Sequence, residues 1–130
     1  MPYLIDTNMV IHARDGHERV LERLFTPSGA ILLSALSPAD VQRGFSPNHP
    51  QAALRRARLE AWLPRLPVLE SGHEAAEAYG RILATLGWVR GRDFDRLIAA
   101  QALVSRAVLL TANMADFQDV PDLTLENGIE

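Results

Sequence analysis

Short, almost uninterrupted apolar runs punctuate this chain: Tyr3-Leu4-Ile5, Ala30-Ile31-Leu32-Leu33 and Val108-Leu109-Leu110, each ending at a polar residue. They are too short for amphipathic helices. A segment that is apolar at successive positions has no polar face, so as a strand it must be covered on both sides. Residues 3–6, 31–34, 108–111 and 123–125 therefore read as strands, with Pro67-Val68-Leu69 as a possible fifth. Helix-period segments lie between them, at 8–14, 17–25, 38–44, 50–62, 71–86 and from Asp93 or Phe94 to about Arg106. Pro38 opens the third, Gly44 and Pro64 close the third and fourth, and Gly87 follows the fifth. Such alternation predicts an α/β fold, with a mostly parallel four- or five-stranded sheet and helices on both faces. No repeat or linker interrupts residues 1–130, so a single domain is expected.

The sheet matters because ligands bind outside the carboxyl ends of parallel strands, where the strand order reverses. Carboxylates stand at such places here. Asp6 closes the first run, and Asp40 follows the second in Ser34-Ala-Leu-Ser37-Pro-Ala-Asp40. Asp95 opens the last helix, and Asp116 lies in Thr111-Ala-Asn113-Met-Ala-Asp116 after the third run. Crowded carboxylates repel until protons or cations join them. Hard ions such as Mg²⁺ or Mn²⁺ are the natural occupants of an all-oxygen site. This pattern points to a metal-dependent hydrolase of phosphate esters.

Some of these residues have simpler uses. Asp6-Thr7-Asn8 suits a helix cap, Asp93 an N-cap of the last helix, and Asn113 an Asx-turn. Asp119 and Asp122 read as solvated loop charges. His12, His17, His49 and His73 are scattered without ligand spacing.

Composition removes other chemistries. The absence of cysteine excludes disulfides, thiolate metal sites and cysteine nucleophiles. All 13 basic residues are arginine, so no mechanism can use a lysine as Schiff base or phosphate ligand. That also disfavours phosphoaspartate enzymes and receiver domains. There is no G-x-S-x-G, P-loop or G-x-G-x-x-G. A net charge of −3 does not advertise nucleic-acid binding, although cations bound at an acidic site reverse the local sign. The first residues show neither a basic flank nor a long apolar stretch, and a cytoplasmic location is expected.

In order, Leu4-Ile5-Asp6-Thr7-Asn8, the segment from Ser34 through Asp40 to Gly44, Asp95-Arg-Leu-Ile-Ala-Ala-Gln-Ala, and Leu109 through Thr111 and Asn113 to Phe117 resemble the motif blocks of the PIN domain. Within that family they resemble the VapC toxins of toxin–antitoxin pairs, over nearly the whole chain. The resemblance implies an Mg²⁺- or Mn²⁺-dependent endoribonuclease that hydrolyses RNA phosphodiesters and leaves a 5′-phosphate. It implies Asp6 and Asp95 as principal metal ligands, Asp116 and Asp40 acting directly or through water, and Thr7, Asn8, Thr111 and Asn113 orienting them. Arg90 and Arg92 are candidates for gripping RNA phosphate, and Trp88 for packing or for stacking on a base. The resemblance also implies a VapB-type antitoxin, docking on residues 38–44 and 50–62, where Leu54, Leu59 and Trp62 offer apolar surface to it or to a homodimer. One departure is Asp40, where the family usually has glutamate. The shorter side chain falls short by ~1.5 Å, against Mg²⁺–oxygen distances of about 2.1 Å. The alternative function is a PIN-fold module with a weakened site that binds RNA or protein.

Overall fold

A computed structural model describes residues 2–25, 30–43 and 46–129, with only the backbone of Arg43. Five strands form one sheet: β1 (Tyr3–Ile5), β2 (Ile31–Ser34), β3 (Val68–Leu69), β4 (Val108–Thr111) and β5 (Leu125–Asn127). Their order is β3-β2-β1-β4-β5, and every neighbouring pair is parallel. Six α-helices connect them: α1 (Thr7–Arg14), α2 (Glu18–Phe25), α3 (Ser37–Arg43), α4 (Ala52–Trp62), α5 (His73–Leu86) and α6 (Asp93–Ser105). The stop expected at Gly44 falls outside the described residues.

Successive strand residues point to opposite faces, and each face has its own core. Ile5, Leu33 and Leu110 pack with Met9, Val10, Val20, Leu24 and Trp62 on one side. Leu4 and Leu109 pack with Ala78, Ile82, Ile98, Ala99 and Phe117 on the other. The unbroken apolar runs are thus strands covered on both faces, as their composition requires. Ala99, Ala100 and Ala102 are all buried, and their small side chains let α6 lie close to the sheet. Gly87, at φ 78°, ends α5 in a conformation that favours glycine.

The last strand begins later than its apolar residues suggest. Residues 123–125 were the expected strand, but Leu125 pairs with Leu109 and Asn127 with Thr111. Asp122 turns through a left-handed conformation (φ 64°), which delays the extended chain. Beyond it, Glu126 and Asn127 can continue an edge strand because one flank faces no further strand. Farther down this segment, a Cβ on Gly128 would lie 2.3 Å from the Met9 sulfur, so glycine is required for the chain to pass over the core.

Candidate active site

From β1 the chain moves outward to β2 and β3, then returns to β4 on the other flank of β1. The order therefore reverses between β1 and β4, which opens a crevice at their carboxyl ends. Asp6 follows β1 immediately, and Thr111 is the last residue of β4.

Asp6 is the N-cap of α1: its Oδ1 accepts the Met9 backbone N–H at 3.0 Å. Its Oδ2 accepts the Thr111 hydroxyl at 2.5 Å, and both residues are fully buried. The Asn113 backbone N–H donates to Thr111 Oγ1 at 3.0 Å, which fixes the hydroxyl so that its proton faces Asp6. Burial pushes the Asp6 carboxyl up to about 6. The two hydrogen bonds oppose that rise, while the charges of Asp95 and Asp116 add to it.

Asp95 sits in the first turn of α6. Burial again lifts its pKa to about 6, reinforced by the charges of Asp116 and Asp40 and opposed by Arg92 and Arg96. Asp40 lies half-buried in the first turn of α3. Asp116 belongs to a 3₁₀ turn just beyond β4. Asn113 Nδ2 donates to its Oδ2 at 2.8 Å. Arg92 approaches its Oδ1 at 3.3 Å and also donates to its backbone carbonyl at 3.1 Å. Asp95 thus links the four predicted carboxylates electrostatically: it acts on Asp6, and Asp116 and Asp40 act on it.

Crowding is not yet convergence. Among the described residues, no three His, Cys, Asp or Glu side chains are placed to hold one metal ion. Both oxygens of Asp6 and both of Asp116 are already engaged, and Arg92 draws Asp116 towards itself. The donor chemistry nevertheless fits a hard divalent cation, since every candidate ligand is a carboxylate and two of them resist ionising through burial and neighbouring acids.

The other predicted residues divide. Thr111 and Asn113 each hold an acid in place. Thr7 instead donates to Ser37 Oγ at 3.4 Å, tying α1 to α3, and Asn8 is half-buried in the first turn of α1. Arg90 is exposed, whereas Arg92 is turned inward against Asp116. Trp62 is a core residue, 6% exposed, so its apolar surface is used inside the fold.

Three residues behave differently from their sequence expectation. Asp93 is the first helical residue, not the N-cap of α6, and its Oδ1 accepts both the Tyr79 hydroxyl (3.0 Å) and the Trp88 indole N–H (2.8 Å). Trp88 is 63% exposed. Asp119, expected as a solvated charge, is exposed as expected but also holds buried Arg96 through two hydrogen bonds of 2.8 Å. No local pattern signals that last pair, because 23 positions separate the partners.

Comparison with known proteins agrees with this architecture. The family model described as "PIN domain" matches residues 3–123. Ribonuclease VapC2 of Rickettsia felis is 30% identical over 98% of both chains. Ribonuclease VapC1 of Haemophilus influenzae is 29% identical over 95% of both. The crystal structure of VapBC2 from Rickettsia felis, bound to a DNA fragment from their promoter, superposes with a TM-score of 0.81 at 28% identity and 98% coverage of each chain. VapBC-1 from nontypeable Haemophilus influenzae superposes with a TM-score of 0.75 at 29% identity over the full length of both. With motif order, strand order and matched length all in agreement, this chain belongs to the PIN domain family and groups there with the VapC ribonucleases.

Proposed function

We propose that this chain is a cytoplasmic endoribonuclease toxin that hydrolyses RNA phosphodiester bonds with Mg²⁺ or Mn²⁺ held by Asp6, Asp95, Asp116 and Asp40. One observation supports the proposal: Asp6 and Asp95 are lifted to about 6 by burial and by neighbouring acids, Asp95 and Asp116 for the first and Asp116 and Asp40 for the second. Such a group of acids is relieved by cations. The relatives named as VapC ribonucleases supply the substrate class.

When bound, the ion supplies Lewis acidity that activates water and offsets charge on the phosphoryl oxygens. The protein's part is positioning. Thr111 and the N-terminus of α1 hold Asp6 at the strand–helix junction, and Asn113 holds Asp116. Asp95 is presented by a helix packed against the sheet through alanines, so its reach is set by a rigid element. Arg92 must release the Asp116 side chain before that carboxylate can serve as a ligand, which leaves its guanidinium available to an RNA phosphate.

A VapB-type antitoxin is the proposed partner. A cavity of about 220 Å³ opens between α1, α3 and α4, lined by Val10, Pro38, Val41, Leu59 and Leu63 with Arg55 at its edge. Leu54 adds exposed apolar surface nearby on α4. Among the described residues, no helix is long and apolar enough to cross a membrane.

The test is RNA cleavage by antitoxin-free protein in Mg²⁺, Mn²⁺ or EDTA, beside Asp6→Ala and Asp95→Ala. Metal-dependent cutting that both substitutions abolish is the expected result. Equal cutting by wild type and variants, or none by folded wild type across varied single-stranded RNAs, overturns the proposal.

A further inference from the structure

Trp88 has the largest relative exposure of the exposed large hydrophobic residues described, at 63%, and it stands in the loop that leads into the helix of Asp95. The loop is shaped by glycines at both ends, Gly87 (φ 78°) and Gly91 (φ 83°), and closed by a hydrogen bond from the Arg92 N–H to the Val89 carbonyl at 3.2 Å. The indole is anchored as well. Its N–H is committed to Asp93 Oδ1, which Tyr79 also holds from α5. An exposed tryptophan whose one polar atom is satisfied by its own protein leaves its ring surface as the free recognition element. A ring fixed beforehand loses little conformational freedom on binding.

Its position relative to the acids follows from helix geometry. Asp93 and Asp95 are two residues apart, about 200° around α6, so Trp88 lies on the other flank of the same first turn. The helix is about 10–12 Å across with its side chains. A strand held at the acids and passing over the N-terminus of α6 therefore reaches the indole within a few nucleotides. Arg90 is exposed in the same loop and the Arg92 guanidinium lies against Asp116, so cations for backbone phosphates stand between Trp88 and the acids in sequence. Lone aromatic platforms beside basic residues suit unpaired bases, because every base offers a π-face.

We infer that Trp88 is a base-stacking subsite for single-stranded RNA, gripping a nucleotide that flanks the one cut at the acidic crevice. This rests on the proposed ribonuclease function. Stacking, unlike phosphate contact, requires the base itself and requires it to be unpaired. Val89, 43% exposed, adds apolar surface that can contact the edge of the same base.

The experiment compares wild type, Trp88→Ala and Trp88→Phe on a 12-nucleotide single-stranded RNA, its duplex, and a series with one abasic site moved along the strand. Binding is read by anisotropy in EDTA at low salt, and kcat/KM is read with Mn²⁺. Trp88→Ala is expected to weaken single-strand recognition about 5- to 150-fold, the range of a lost base–aromatic stack. Trp88→Phe should recover most of it. One abasic position should harm wild type by a similar factor yet leave Trp88→Ala no worse, and the duplex should be insensitive to the substitution. Because Trp88 is exposed, its variants should melt with wild type, which separates recognition from folding. If wild type recognises RNA but Trp88→Ala matches it at every abasic position, the stacking inference fails and the ribonuclease proposal stands. If wild type neither binds nor cuts any RNA, both fall. If Trp88→Ala instead changes the sedimentation of the free protein without an abasic signature, the ring packs against a second copy and the inference is overturned.

Discussion

Replacing Asp6 with asparagine should stabilise the metal-free protein at neutral pH and do nothing of the kind in acid. The Asp6 carboxyl rises from its ordinary 3.8 to about 6, chiefly by burial and further by the charges of Asp95 and Asp116. A carboxyl whose folded pKa is raised binds its proton more tightly in the native state. Below about pH 3 both states are protonated and the group is neutral in its effect. As pH rises through the unfolded value, the unfolded chain ionises first and stability declines, levelling off above the folded value. At about 1.4 kcal/mol per pH unit, the difference amounts to about 3 kcal/mol lost between about pH 3 and pH 7. Asparagine keeps an acceptor for the Met9 N–H but gives Thr111 an amide donor in place of an oxygen, costing on the order of 1 kcal/mol at every pH. Asp6→Asn should therefore be about 1 kcal/mol less stable than wild type at pH 3 and about 2 kcal/mol more stable at pH 7.5. The assay is urea unfolding in EDTA at half-unit pH intervals. Saturating Mn²⁺ should erase the neutral-pH advantage, because only wild type gains the full binding free energy. A stability difference that stays flat from pH 4 to 7.5 refutes the reasoning, since it shows Asp6 unperturbed.

Other substitutions probe separate parts of the argument. Asp119→Ala removes two hydrogen bonds from the Arg96 guanidinium, whose side chain is 4% exposed against 52% for Asp119, and should cost about 1–2 kcal/mol in urea unfolding; a loss under about 0.3 kcal/mol would mean that the pair holds nothing. Gly128→Ala drives a methyl into the Met9 thioether, 2.3 Å from its sulfur, and should lower stability by about 1–3 kcal/mol. Pairing it with Met9→Val should recover part of that loss, and strict additivity would contradict the clash. Asp40→Glu extends the side chain by ~1.5 Å towards a site whose Mg²⁺–oxygen distances are about 2.1 Å. It should tighten Mn²⁺ binding by calorimetry and raise cleavage, whereas unchanged affinity and rate would show that length at position 40 is immaterial.

The strands β1, β2 and β4 were legible because their covered faces force an unbroken apolar run, and each lies at or next to its expected place. β5 was displaced by two residues because an edge strand tolerates Glu126 and Asn127, so hydrophobicity no longer marks its register. β3 is only two residues long and carries an exposed Val68, too little pattern for a firm assignment. In the crevice, the acids could be read individually, since each ends or opens an element. Their partners could not. The Arg92–Asp116 and Arg96–Asp119 pairs bring together residues 24 and 23 positions apart, and only the fold decides which arginine faces which acid. For Trp88 the sequence left packing and stacking open; the fold leaves it 63% exposed with its indole N–H on Asp93.

Asp6 also shows why helix capping and a metal-ligand role are not competing explanations. An N-cap needs an oxygen at the helix start, and a crevice carboxylate needs to stand just past a strand; with α1 beginning at Thr7 directly after β1, one residue meets both requirements. The same junction buries the carboxylate, and that burial makes its ionised form costly. Two hydrogen bonds reduce the cost without removing it, as the raised pKa records. The residual penalty gives a cation differential affinity for the ionised native site over the unfolded chain. Arg92 supplies part of that positive charge from within, through Asp116. On the proposed function, metal binding would be a competition between an incoming ion and a tethered guanidinium for the same carboxylate, so Arg92→Gln should tighten Mn²⁺ binding by calorimetry even if cleavage declines through lost contact with RNA. Weaker Mn²⁺ binding in Arg92→Gln would show instead that the arginine pre-positions Asp116 for the ion.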